Sequence, residues 1–217
     1  MSISLTNIIN DWIPDQSKVI DFGCGDGSLL KELIDTKKIH GYGVEIDSKK
    51  IQECIAKGLS VIQQDIDDGF EEFESSNFDI SIMASSIQCL KDPHLALRRM
   101  LKLSNKCVVT LPNLGYWRCR ADLVFGKMPV TPNLPSSWYE TDNLHLCTIN
   151  DFEKLCEELG LNNSYYNGKK YQKLIKDAKG NSPNSVMKQN EYLWTIGQRP
   201  YWKLWKRMNS KYLFLVV

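Results

Sequence analysis

The chain has 217 residues, 42% hydrophobic, 24% charged and 10% aromatic, a composition and length that suit one well-buried globular domain. Those proportions exclude collagen-like, coiled-coil and disordered chains, and the absence of any apolar run of roughly 18 residues excludes a membrane span. Twenty-seven basic against 26 acidic side chains leave a net charge of +1, which gives no general attraction for phosphate backbones and disfavours nucleic acid as a partner.

The opening MSISLTNIINDWIPD lacks the basic and apolar regions of a secretory signal, so a cytoplasmic location is expected. Lys18 to Phe22 is a short apolar strand signal. It runs into Gly23-Cys24-Gly25-Asp26-Gly27, after which Leu29, Leu30, Leu33 and Ile34 recur at helical spacing. Gly41 to Asp47 reads as a second strand, with Asp47 able to cap a helix that Gly58 ends. Leu59 to Gln63 predicts a third strand, Phe78 to Met83 a fourth, Pro93 to Leu103 a helix and Lys106 to Leu111 a fifth strand. Alternating strands and helices imply a parallel sheet covered on both faces.

Beyond Pro112 the pattern loosens. Residues 126–143, rich in Pro, Asn, Ser and Trp, are too long for a routine connection and are expected to form a lid or binding loop. Thr148 then caps a helix carrying Phe152, Leu155, Cys156 and Leu159. Strand-like stretches at Leu161 to Tyr166 and Glu191 to Ile196 bring the count to seven. One domain is expected over residues 1–198, followed by a tail (199–217) in which Arg199, Lys203, Lys206, Arg207 and Lys211 face no acid and alternate with aromatic residues. The cysteines number seven and none stands in a C-x-x-C pair, so buried free thiols are expected, with no metal site and no disulfide framework.

The sharpest feature is the glycine loop. Three glycines at alternate positions let a ligand approach the backbone closely at the first strand-to-helix turn. The spacing is G-x-G-x-G rather than the G-x-G-x-x-G of nicotinamide-binding folds, and Asp21 and Asp26 bracket it with negative charge. Carboxylates disfavour a pyrophosphate and suit a ligand with an ammonium group, a sulfonium and a ribose, which describes S-adenosylmethionine, with S-adenosylhomocysteine as product. Glu45, at the end of the second strand, is placed to accept from ribose hydroxyls, and Asp65 follows the third strand where an adenine amino group is expected. The cofactor-binding set is therefore Asp21, Gly23, Cys24, Gly25, Gly27, Glu45, Ile46, Asp65 and Ile66.

These residues resemble the class I S-adenosylmethionine-dependent methyltransferases. The stretches DFGCGDGSLL, GYGVEID, VIQQDID, PNLGYWRCR, GKMPVT and WYETDNLHLCTINDFE resemble more closely the MetW family of methionine biosynthesis. The resemblance implies a Rossmann-like α/β fold, with a seven-stranded, mostly parallel sheet, an antiparallel last strand and helices on both faces. It further implies a role linked to homoserine O-acyltransferase as partner, with no demonstrated methyl acceptor.

Methyl transfer from a sulfonium is an in-line displacement in which the protein aligns the nucleophile and excludes water. The Asp/Asn-Pro-Pro-Tyr/Phe box that holds an exocyclic amine is absent after the fourth strand, where the chain reads Ala84-Ser85-Ser86-Ile87. Base methylation of nucleic acid is thereby disfavoured, and a small-molecule or protein acceptor is expected. The catalytic candidates are His145, whose side-chain type suits general-base work, and Tyr116. A non-catalytic sensor that binds the cofactor and regulates the acyltransferase is the alternative, with Tyr116 to Arg120 as its contact surface.

Overall fold

The computed structural model describes residues 5–69, 73, 77–131, 134–159, 192–194 and 212–216. Its contacts gather the chain into two units. One runs to Leu111 and includes Asp142–His145, and the other comprises Pro112–Thr141 and the chain from Leu146 onward.

The first unit is built on five strands, β1 (Lys18–Phe22), β2 (His40–Glu45), β3 (Ser60–Gln63), β4 (Phe78–Ala84) and β5 (Ser104–Pro112). They lie side by side in the order β3-β2-β1-β4-β5, and every pairing among them is parallel. In β1 Val19, Ile20 and Phe22, and in β4 Ile82 and Met83, are wholly buried. Consecutive strand residues point to opposite faces, so both faces of the central strands are covered, which is why these strands read as apolar runs rather than alternating patterns. Each such side chain contributes about 1.5–3 kcal/mol on leaving water.

Four helices belong to this unit: α1 (Leu5–Trp12), α2 (Ser28–Lys37), α3 (Ser48–Ala56) and α4 (Pro93–Leu103). The expected cap holds at α3, where Asp47 accepts from the Lys49 N–H at 2.8 Å, while α4 starts on Pro93 with no side-chain cap from Asp92. Helix α1 lies outside the sequence reading, although Leu5, Ile8, Ile9 and Trp12 follow helical spacing and Pro14 closes the segment. Its end is anchored by the wholly buried Ile9 and the nearly buried Ile13.

Strand order fixes where a ligand can sit. The chain moves from β1 outward through β2 and β3, then returns to β4 on the other side of β1. The crevice between the carboxyl ends of β1 and β4 is thus the topological switch point, where ligands of open α/β sheets bind. Asp21 lies opposite Ile82 of β4 and Gly43 of β2 in the register.

The second unit contains α5 (Trp117–Val124) and α6 (Ile149–Glu158). The expected cap of α6 is a full capping box, in which the Thr148 side chain accepts from the Asp151 N–H and the Asp151 carboxylate accepts from the Thr148 N–H. Helix α5 was not expected. Tyr116 at its start offers no side-chain cap, and its apolar residues do not form one buried stripe, since only Cys119 is buried. Strand β6 (Tyr192–Trp194) falls within the expected Glu191 to Ile196 strand. It pairs in parallel with β7 (Tyr212–Val216), a stretch assigned above to the tail. The expected strand at Leu161 to Tyr166 lies outside the described residues, and an antiparallel last strand is not among the described pairings. All seven cysteines are free, five of them buried.

Candidate functional site

The glycine loop leaves β1 with the N–H groups of Gly23 and Cys24 both donating to the Val44 carbonyl, at 2.8 and 3.1 Å. Gly23, Gly25 and Gly27 all take positive φ, at 71°, 59° and 75°, a region costly for side-chain-bearing residues. Their further reasons differ. A Cβ on Gly23 would lie 2.8 Å from Ser86 Cβ, and one on Gly27 would run into Leu59 and Cys54, whereas a Cβ on Gly25 would meet nothing within 4 Å. The outer glycines serve the protein's own packing; the middle one presents bare backbone to an open approach.

Glu45 closes the loop from below. Its Oε2 accepts from the Gly25 N–H at 2.8 Å, and its Oε1 accepts from the N–H groups of Ile46 and Asp47 at 3.0 and 3.1 Å. Three backbone donors therefore occupy a carboxylate that is 6% exposed. A carboxylate oxygen has two lone pairs, so Oε2 retains one acceptor direction, and a ribose contact through both oxygens would have to displace a backbone bond. Ile46 itself is exposed.

The other acids divide. Asp65 caps the short helical turn at Ile66–Asp68, its Oδ1 accepting from the Asp67 N–H at 2.9 Å. Ile66 is buried, its Cδ1 3.9 Å from the position a Gly23 Cβ would take. Asp26, read above as loop charge, is bound by Lys57, whose Nζ donates to its carbonyl at 2.6 Å and its Oδ2 at 2.7 Å. Those bonds hold its carboxyl well below the ordinary range, at about 2. The Cys24 side chain points to the sheet, since a Cβ on Gly43 would lie 2.6 Å from its Sγ. Its thiol stands 4.0 Å from that of Cys54, and burial first, then the Asp21 charge, push it upward. Cys54 also donates to the Gly25 carbonyl at 3.2 Å. Sequence reasoning missed Cys54 of α3 and Lys57 just past its end, because nothing in the local pattern marks them as loop contacts.

Asp21 differs from both. It is 1% exposed, its Oδ1 has no hydrogen-bond partner, and burial, then the charge of Glu45, push its carboxyl up to about 7. On the opposite side of the switch point, the turn after β4 is strained and tied down. Ser85 has φ 58°, and its N–H donates to the Thr110 carbonyl and to Thr110 Oγ1 at 3.0 and 2.9 Å. The hydroxyl of Ser86 donates to the Phe22 carbonyl at 3.0 Å. The Gln88 carbonyl accepts from the N–H groups of Leu144 and His145, both at 2.9 Å. His145 Nε2 lies 3.1 Å from the Lys91 carbonyl, so Nε2 carries the proton and the neutral ring has Nδ1 as its lone-pair nitrogen. The structure thus joins His145 to the turn following β4. Tyr116 belongs to the other unit; it is buried, with its ring 5.8 Å from that of Trp117.

Comparison with known proteins places this geometry. Residues 5–190 match the family described as Methionine biosynthesis protein MetW. The chain belongs to the MetW family. A bifunctional methionine biosynthesis protein MetXA/MetW from Rhodopirellula baltica is 28% identical over 159 residues, 69% of this chain and 26% of that protein. The chain therefore spans about a quarter of that relative's length. Among solved structures, a S-adenosylmethionine-dependent methyltransferase from Thermotoga maritima superposes with a TM-score of 0.54 at 18% identity, over 70% of this chain and 67% of its own. Magnesium protoporphyrin IX methyltransferase from Synechocystis, with bound S-adenosylhomocysteine, gives 0.52 at 17% identity over 70% of each chain. The fold of this MetW-family chain is the Rossmann-like methyltransferase fold, with a parallel sheet and helices.

Proposed function

We propose that this chain binds S-adenosylmethionine at the glycine loop and transfers its methyl group to a small-molecule or protein-bound acceptor in the cytoplasmic synthesis of methionine. The observation that carries the reading is the bare backbone of Gly25 in the loop that follows β1, where an added Cβ would meet nothing within 4 Å. A sulfonium ligand bound there supplies an activated methyl group. Asp21 offers a carboxylate to an ammonium group, Glu45 holds the loop and keeps one acceptor direction for a ribose hydroxyl, and Ile66 gives an apolar wall. Asp65 contributes as the cap that sets the Ile66 turn. His145 Nδ1 is the base available on the acceptor side.

Calorimetry with S-adenosylmethionine, S-adenosylhomocysteine and NAD tests the ligand assignment. The two adenosyl ligands should bind, and tighter binding of the dinucleotide would sink it. Isotope-labelled methyl transfer into cell extract tests catalysis. The His145→Ala variant should lose transfer while its cofactor affinity stays nearly unchanged; equal loss of both would mark His145 as a brace for its loop.

A second reading keeps the pocket as a sensor and makes the chain a regulatory partner of homoserine O-acyltransferase. Two observations support it. The Rhodopirellula relative joins MetXA and MetW in one protein by its name, and α5 with the residues after it exposes Trp117, Leu123, Val124, Phe125, Met128, Val130, Trp138 and Tyr139. Such a concentration of exposed aromatic and aliphatic side chains marks interaction surfaces.

A further inference from the structure

The loop from Cys24 to Gly27 is a tight turn closed by a bond of its own, from the Gly27 N–H to the Cys24 carbonyl at 3.0 Å. Such a bond fixes the ends of a turn and leaves the orientation of its middle peptide open, which is how turn types with the same ends differ. The Gly25–Asp26 peptide, next to the open face of Gly25, therefore needs a second anchor.

The end of α3 and the residue just past it supply that anchor. The Cys54 thiol donates to the Gly25 carbonyl at 3.2 Å. Lys57 Nζ donates to the Asp26 carbonyl at 2.6 Å, to Asp26 Oδ2 at 2.7 Å and to Ser28 Oγ at 3.0 Å. An ammonium group carries three donors and no acceptor, so three acceptors answer it one for one. In a planar trans peptide the N–H points opposite to the carbonyl. With both loop carbonyls turned towards α3, the N–H groups of Asp26 and Gly27 are turned away from it.

Lys57 is itself held. Its N–H donates to the Glu53 and Cys54 carbonyls, both at 3.1 Å, Gly58 follows at φ 73°, and the Leu59 N–H returns to the Cys54 carbonyl at 3.0 Å. Across the contact, Asp26 Oδ1 accepts from the Ser28 N–H at 3.1 Å, a capping role at the first turn of α2 that Gly27, having no side chain, cannot take. Lys57 thus joins a fixed helix end to the last peptide of the loop and to the first residue of α2. Its side chain is 32% exposed and that of Asp26 48%, and an ion pair so open to water adds little to stability. What the three bonds do fix is the shape of the loop.

We propose that Lys57 is a positioning residue for the bound ligand: by holding the Asp26 carbonyl and carboxylate it keeps the peptides from Gly25 to Gly27 in the arrangement the ligand meets, without touching the ligand. The proposal rests on the cofactor reading above and adds to it a residue from outside the glycine loop.

The experiment is calorimetric titration of the full chain with S-adenosylhomocysteine, beside urea unfolding and an NMR titration of the Asp26 carboxyl. Lys57→Met keeps the apolar stem and removes the donors. It should bind S-adenosylhomocysteine roughly tenfold more weakly, with an almost unchanged urea midpoint. Its Asp26 carboxyl should titrate above the value of about 2 that the bonds from Lys57 and Ser28 give it. Lys57→Arg restores a cation with several donors, and affinity should return to within about threefold of the unsubstituted chain. Unchanged affinity in the methionine variant, or an unmoved Asp26 carboxyl, overturns the proposal. A loss of affinity matched by a lowered urea midpoint, or one that arginine does not rescue, overturns it as well, since either marks a merely structural contact. If the unsubstituted chain does not bind S-adenosylhomocysteine, the cofactor reading itself fails and the positioning role falls with it; if it binds and only the Lys57 effects are missing, the cofactor reading stands and this residue's role does not.

Discussion

At the scale of single residues the site is a set of backbone donors and buried oxygens whose partners decide their roles. Gly25 has a positive φ and an open face, so Gly25→Val is expected to abolish S-adenosylhomocysteine binding, by strain and by filling the approach; an unaffected variant in calorimetry would move the pocket elsewhere. Glu45→Gln sets an amide N–H against one of the three backbone donors its carboxylate now receives, and should weaken binding by roughly 1–3 kcal/mol. Asp21 yields a pH prediction. Its carboxyl titrates near 3.8 when unfolded and at about 7 when folded, so the folded chain holds the proton more tightly. That stabilisation is fully present below the unfolded value and is lost as pH rises through about 7. Asp21→Asn removes the titration, so chemical denaturation should show the variant gaining on the unsubstituted chain as pH rises from 4 towards 7, by on the order of 4 kcal/mol across the window. A cation bound beside Asp21 would favour its charged form. S-adenosylhomocysteine affinity should therefore strengthen as pH approaches 7, with proton release visible in the buffer dependence of the binding heat, and Asp21→Asn should abolish that release.

Among the elements, the ends of strands and the first turns of helices carry the chemistry while their middles carry the core. Thr148 shows how local the helix signals are. Its capping box satisfies two orphan groups at the start of α6, and Thr148→Ala should cost about 1 kcal/mol, read as a lowered urea midpoint with S-adenosylhomocysteine affinity unchanged. A larger loss, or weakened binding, would mean that α6 supports the pocket. The same locality explains what the residue pattern could reveal. Strands β1 to β5 and helices α2 to α4 and α6 announce themselves through apolar runs, caps at Asp47 and Thr148, and the break at Gly58, each a property of a few neighbouring residues. Helix α5 carries no cap and buries only Cys119, so its period has no face to reveal it. At the site, Gly23, Gly25, Gly27 and Glu45 are legible because a turn and a strand end demand them. Lys57 on Asp26, Cys54 on the Gly25 carbonyl and Ser86 against Gly23 are long-range pairings, and no spacing encodes them. Asp65 was legible as an acid after β3, but its competing role as a helix cap needed only the next two residues, and that local bond is the one observed.

For the whole molecule, the catalytic and the sensor readings diverge at the unit that does not contain the glycine loop. Of its exposed side chains, Trp117 is 50% exposed and Phe125 78%, an unusual cost in water for large apolar groups unless another surface covers them. Trp, Tyr and Arg carry most of the energy at interface hot spots, where a truncation costs about 2 kcal/mol or more, and Tyr116, Trp117, Arg118 and Arg120 stand together in the chain. Tyr116 is buried against Trp117, so Trp117 is the residue of this group to truncate. If the chain regulates homoserine O-acyltransferase, Trp117→Ala should abolish co-purification of the two proteins and the control of acylation, yet leave S-adenosylhomocysteine affinity as it was. If the chain is a methyltransferase whose acceptor meets this surface, the same variant should lower labelled methyl transfer with the complex intact. Co-purification, acylation rate and cofactor affinity measured together on this variant separate the cases, and an intact complex with normally regulated acylation would count against the sensor.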